Sequence, residues 1–170
     1  MIALIIGKPD SGKSKRAEAL AAELAGNDPK IYLATMIPYG KEGEARIKRH
    51  RKMREGSGFF TIECPENLKN RLPVDTRFQG ATCLLECISN LVANEMHLEG
   101  RETCEDKWIV DLVSDEIAWL ARNCKHLILV GNEFTAEPSY DDETKRYIRL
   151  NHLANEKIRA LSDREETINP

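Results

Sequence analysis

Eight residues near the start of the chain, Gly7-Lys8-Pro9-Asp10-Ser11-Gly12-Lys13-Ser14, restrict its fold more than any other feature. They match G-x-x-x-x-G-K-[ST] and stand between an apolar stretch, residues 2–6, and an Ala-, Leu-, Glu- and Lys-rich stretch, residues 13–25, closed by Gly26-Asn27. A strand that enters a tight glycine turn and leaves as a helix directs successive backbone N–H groups at one point, with the positive end of the helix dipole behind them. In that arrangement Lys13 is a mobile cation and Ser14 a hydroxyl for Mg²⁺. The competing reading, an incidental glycine-rich turn, leaves the flanking strand and helix unexplained. The expectation is a nucleotide-phosphate loop.

The rest of the chain repeats that alternation. Residues 31–35, 82–88 and 127–131 are near-continuous apolar runs of strand length, as in a parallel sheet covered on both faces, and residues 59–63 form a possible shorter strand. Between them, residues 105–123 carry a helical stripe at Ile109, Leu112, Val113, Ile117 and Leu120. A further helix is expected over 142–161, after the Pro138-Ser139 turn and carrying Ile148, Leu153, Ile158 and Leu161. Residues 56–58 and 73–80 read as loops. With 170 residues, 41% of them hydrophobic, no repeat and no linker composition, one α/β domain with parallel strands and crossover helices is expected. No apolar run approaches a membrane span, and the opening run is cut by Gly7-Lys8, short of a signal-peptide core. Five cysteines without a C-x-x-C pair read as free thiols, Cys83 and Cys87 as small buried hydrophobes, with neither disulfide nor structural metal expected. The protein is expected to be cytoplasmic.

A phosphate loop needs a carboxylate across the site for its metal, at the end of a neighbouring strand. Glu86 is the one acid in the apolar run 82–88, and burial there demands a metal or a hydrogen-bonding partner; a strand-end carboxylate facing solvent is the alternative. Charge is also concentrated. Against 25 Lys+Arg and 28 Asp+Glu overall, residues 46–54 (Arg46-Ile47-Lys48-Arg49-His50-Arg51-Lys52-Met53-Arg54) hold six Lys/Arg and one His. On a helix Arg46, His50 and Arg54 share a face, so flanking guanidiniums would lower the His50 pKa and leave a neutral nitrogen able to attack phosphorus. A solvated basic face or a nucleic-acid patch are the alternatives. No aromatic platform is interleaved, and the acidic overall balance also speaks against nucleic acid. His97, His126 and His152 lack such surroundings.

These residues resemble the bifunctional adenosylcobinamide kinase/adenosylcobinamide-phosphate guanylyltransferase family of cobalamin biosynthesis. The likeness runs in order: the turn 7–14, then Leu33-Ala34-Thr35, then Ala45-Arg46-Ile47-x-x-His50-Arg51-x-x-Arg54. It continues through Thr61-Ile62-Glu63-x-Pro65, Leu84-Leu85-Glu86-Cys87 with Asn94, and Asn132-Glu133. The resemblance implies an α/β P-loop NTPase of the RecA-like kind. It implies phosphoryl transfer to the aminopropanol hydroxyl of adenosylcobinamide, with GTP or ATP as nucleotide, and then transfer of GMP from GTP through a guanylylated histidine matched by His50. It places Leu33, Ala34, Thr35, Arg51, Lys52, Met53, Arg54, Glu63 and Glu86 at the guanine nucleotide, Glu86 where the family usually has Asp. Mg²⁺ falls to Ser14 and Glu86, and a homo-oligomer, commonly a trimer, is implied. The departures are C-terminal: Asn132-Glu133 runs into Phe134-Thr135 in place of Val-Gly, and residues 164–170 are polar and poor in β-formers, so a shortened end without the family's final strand is expected. A nucleotide-binding sensor or scaffold of the same fold, without turnover, is the alternative function.

Overall fold

A computed structural model describes residues 1–72 and 76–169, the side chains of Arg46, Met53, Thr76 and Arg77 excepted. In chain order the elements are β1 (Ile2–Gly7), α1 (Lys13–Ala25), β2 (Lys30–Ala34), α2 (Gly40–Arg54), β3 (Phe59–Glu63), α3 (Leu68–Arg71) and α4 (Thr76–Gln79). They continue with β4 (Thr82–Glu86), α5 (Ile88–Met96), α6 (Asp106–Asn123), β5 (His126–Asn132), α7 (Asp142–Arg159) and β6 (Arg164–Ile168). The six strands form one sheet in the order β3-β2-β4-β5-β1-β6, and all five pairings are parallel.

Alternation along each strand divides the apolar residues between the two faces. Ala3 and Ile5 of β1, with Leu84, Ile128 and Val130, pack under Ala17, Leu20 and Ala21 of α1. Leu4 and Ile6 point the other way, joining Leu33, Leu85 and Leu129 under Leu91 of α5, Ile109, Val113 and Ile117 of α6, and Leu150 and Ala154 of α7. Because every interior strand is covered twice, its sequence reads as continuous apolar residues. Since β5 lies between β1 and β4, its last residue, Asn132, comes between the glycine turn after β1 and Glu86 at the end of β4.

Three sequence expectations are corrected. Residues 164–168 do form a strand, running parallel to β1 from Ala3↔Arg164 to Gly7↔Ile168. β1 offers a full row of backbone donors and acceptors, and pairing with it does not require apolar side chains; an edge strand is better protected by charge. The charges are anchored as well, Arg16 holding Glu166 through two bonds of 2.6 and 2.7 Å and Arg159 holding Glu165 at 2.8 Å. The apolar run 82–88 is a strand only to Glu86; Ile88 opens α5, whose Leu91, Val92 and Met96 are buried, and a buried helix has the same apolar look as a buried strand. Residues 76–79, within the expected loop 73–80, make one turn of helix, while 73–75 lie outside the described residues. Among the described residues no helix is long and apolar enough to cross a membrane.

Candidate active site

Open parallel sheets bind ligands beyond the carboxyl ends of their strands. Here that edge holds a cavity of about 350 Å³, bounded by residues 9–14, the ends of β2, β4 and β5, and the last turns of α2. Gly12 sits at φ 92°, a left-handed conformation that a side chain would strain. Gly7 is required for a different reason: a Cβ there would lie 2.2 Å from the Ile168 carbonyl oxygen of β6. α1 has neither a side-chain cap nor an acid in its first turn, so its N-terminal amides and positive dipole end remain for an anion. Lys13 is buried, its ammonium donating to the Lys8 carbonyl and standing 3.4 Å from Ser11 Oγ.

Across the turn, Glu86 is half-buried and has two hydrogen-bond partners. Ser14 donates its hydroxyl to Oε1, and the Tyr32 hydroxyl donates to Oε2 at 2.9 Å. Burial, and then the Glu86 charge, pushes the Tyr32 phenol far above its ordinary pKa, so it stays a donor. Over the Tyr32 ring lies the Arg54 guanidinium, its central carbon 3.5 Å from the ring centroid. Arg54 is only 8% exposed, and its Nε and Nη1 are buried with no hydrogen-bond partner among the described residues. Two nitrogens of a permanent cation, desolvated and unpaired at the edge of a cavity, are a demand for an anion. Nearby, burial and then the Glu86 charge raise the Glu18 carboxyl.

The remaining expected residues divide clearly. Pro9, Asp10, Ser11, Gly12, Lys13, Ser14, Ala34, His50, Arg51, Arg54, Glu63 and Glu86 all line the one cavity. Arg51 Nη2 is paired with Glu63 across the mouth, both half-exposed. Gly7 underlies the turn, Lys8 contributes its carbonyl, and Lys52 is exposed on the outside of α2. Leu33 and Thr35 are wholly buried. Leu33 belongs to the core, whereas Thr35 fastens β2 to β4: its Oγ1 accepts from the Cys87 amide at 2.7 Å and donates to the Cys87 carbonyl at 2.8 Å. Asn94 extends this fastening, donating to the carbonyls of Thr35 (2.7 Å) and Pro65 (2.8 Å). The side chains of Arg46 and Met53 lie outside the described residues.

Sequence reasoning missed the residues that complete the cavity: Tyr32, Ser89, Asn90, Phe134 and Tyr147, with Asn132 recognised only as part of a resemblance. Two signals were available. A tyrosine in an otherwise aliphatic buried strand needs a partner for its hydroxyl, and Ser89-Asn90 is a polar pair directly after an apolar strand end.

The parallel sheet, the glycine turn at its first strand and the facing carboxylate define a P-loop nucleotide-binding protein. The ATPase domain of G40P, a solved structure, superposes with a TM-score of 0.53 over 99% of this chain and 69% of its own at 12% identity, a likeness of fold alone. The chain belongs to the family described as cobinamide kinase / cobinamide phosphate guanyltransferase, which it matches over residues 3–168. It is 30% identical to the bifunctional adenosylcobalamin biosynthesis protein CobU of Salmonella typhimurium (strain LT2), over 96% of this chain and 92% of that one. It is also 30% identical to the protein of the same description from Escherichia coli (strain K12), over 78% and 75%.

Proposed function

We propose that the protein phosphorylates adenosylcobinamide and then transfers GMP to the product through a covalent intermediate on His50, acting in the cytoplasm. The observation that carries this reading is that His50, on α2, lines the same cavity as Lys13 and Ser14 of the glycine turn and the unpaired face of Arg54.

In the first reaction the hydroxyl oxygen of the aminopropanol arm attacks the γ-phosphorus of ATP or GTP. The bond from that phosphorus to the β–γ bridging oxygen breaks, the nucleoside diphosphate leaves, and the hydroxyl proton passes to solvent. In the second, a ring nitrogen of neutral His50 attacks the α-phosphorus of GTP; a P–N bond forms, the bond to the α–β bridging oxygen breaks, and pyrophosphate leaves. A phosphate oxygen of adenosylcobinamide phosphate then attacks the same phosphorus, the P–N bond breaks, and the imidazole is restored.

The protein's own part is binding and charge. The α1 amides and Lys13 seat the phosphates, and Arg54 meets the charge that develops on phosphoryl oxygens as pyrophosphate departs. Arg51, at the mouth, exchanges its pairing with Glu63 for the nucleotide. Mg²⁺ fits this donor set: Ser14 and Glu86 are hard oxygen ligands already in contact, and together they would hold it. Bound there, the ion would neutralise phosphate charge. The working form is a homo-oligomer, a reading supported by Phe60, 65% exposed on the outer edge strand β3, and by Tyr39 before α2.

Incubation with α-labelled GTP and Mg²⁺ is expected to leave an acid-labile label on the protein, lost in both His50→Ala and Lys13→Ala. GTP binding without label in the parent overturns the covalent reading and leaves the sensor.

A further inference from the structure

We infer that the side of the cleft away from α2, where Asn90, Asn132, Phe134 and Tyr147 meet, is the acceptor subsite. Its occupant is the amide-linked, hydroxyl-ended arm through which adenosylcobinamide is modified, so the inference rests on the function proposed above.

The two sides of this one cleft differ in chemistry. Toward α2 it presents His50, Arg51, Arg54 and Glu63; on the far side Cys87, Ser89, Asn90, Asn132, Phe134 and Tyr147 carry no charged group. Burial keeps the Tyr147 phenol in its neutral form. Such a surface offers a polyphosphate nothing that the α2 side does not offer better. It suits a neutral ligand with amide groups and methylenes.

Its walls are set before any ligand arrives. The Phe134 and Tyr147 rings lie 5.6 Å apart, tilted by 47°. The Tyr147 hydroxyl donates to the Ser89 carbonyl at 3.2 Å, and the Asn132 amide donates to Ser89 Oγ at 3.1 Å. Behind them the Asn132 carbonyl accepts from Asn155 at 2.9 Å and from Asn151 at 3.3 Å, both buried in α7. Asn90 is the exception. Half-buried on the first turn of α5, its side chain has no hydrogen-bond partner among the described residues, and a primary amide supplies both the acceptor and the donor that a secondary amide requires. The aromatic pair gives the arm's methylene and methyl groups an apolar wall.

Position and size agree with this occupant. Asn132 is the strand neighbour of Gly7, so the subsite abuts the glycine turn, and an arm seated there presents its hydroxyl to a phosphate held in the turn. A cavity of about 350 Å³ admits the phosphates and an arm but no corrin macrocycle, which stays at the mouth.

The test is steady-state kinetics of the full chain with adenosylcobinamide and GTP as varied substrates. Asn90→Ala, which loses no internal hydrogen bond, is expected to raise the KM for adenosylcobinamide about tenfold while the KM for GTP shifts less than twofold. Phe134→Leu, which keeps an apolar wall and the fold, is expected to shift the same constant in the same direction by a smaller factor. An unchanged acceptor KM in both variants, or equal shifts of both constants, overturns the subsite. A parent enzyme that modifies no adenosylcobinamide overturns the proposed function itself, a separate result from an active parent that ignores Asn90.

Discussion

Arg54 is held under opposing demands. Stacking on Tyr32 stabilises it by roughly 1 kcal/mol, yet two of its nitrogens are buried without acceptors, which costs about 1–3 kcal/mol each where solvent is excluded. A phosphate satisfies both. Arg54→Met is therefore expected to leave the melting temperature of the ligand-free protein within about 3 °C of the parent, while abolishing most of the rise that saturating GTP produces; thermal unfolding with and without GTP checks it, and a large loss without nucleotide would make Arg54 a structural residue only. At this scale the sequence was informative about residue type and weak about surroundings. The spacing of Arg46, His50 and Arg54 pointed to an anion site, and His50 and Arg54 do reach the cavity. Nothing in the spacing said that Arg54 would be buried against an aromatic ring, because its partner lies on a different element, β2, 22 residues earlier in the chain. For Tyr32 the need of a partner was legible but the partner was not: Glu86 is brought alongside β2 by the sheet register, through the pair Ala34↔Glu86.

β6 teaches the opposite lesson about elements. Its sequence, Arg164-Glu165-Glu166-Thr167-Ile168, has poor strand propensity, and a strand forms because the outer edge of β1 supplies the pairing and because Arg16 and Arg159 fix the two glutamates. The Arg16 guanidinium beside it holds the Glu166 carboxyl below the usual carboxylate range. A depressed pKa means that this stabilisation is present above the unfolded-state value and is lost as pH falls through the folded one. Glu166→Gln is expected to cost about 1 kcal/mol at pH 7, measured by urea unfolding, with the difference from the parent shrinking to nothing in acid. A pH-independent difference would show that the pair acts through shape rather than charge. By contrast the 13 residues of α1 were legible from composition alone, since Ala, Leu, Glu and Lys favour helix wherever they are placed. α5 was not expected, and its first residue, Ile88, read as the end of the strand 82–88 because a buried helix start is as apolar as a buried strand.

For the molecule as a whole, one titrating group lies outside the residues that line the cavity. Glu116 of α6 is 1% exposed, and burial pushes its carboxyl up to about 7, against the lowering effect of the Leu68 and Lys69 amides and of Lys69 and Arg101. With a raised pKa the folded state prefers the protonated acid, so the associated stability is fully present below the ordinary value of 4.5 and is lost as pH rises through 7. The stability of the parent is expected to fall by on the order of 2 kcal/mol between pH 5 and 8, and Glu116→Gln to flatten that slope; unfolding curves at several pH values decide, and an unchanged slope in the variant would assign it to another group. The sequence by itself determined the phosphate loop, the parallel α/β architecture and the cations that face it, because these depend on short-range chemistry: a glycine turn between strand and helix, apolar runs, charge four residues apart. Tertiary structure alone decided that Tyr32 and Ser14 satisfy Glu86, that a charged tail closes the sheet, and that Asn90, Phe134 and Tyr147 make an uncharged wall opposite His50. Those facts depend on which strand lies beside which, and that is set by the folding of the whole sheet rather than by any local run of residues.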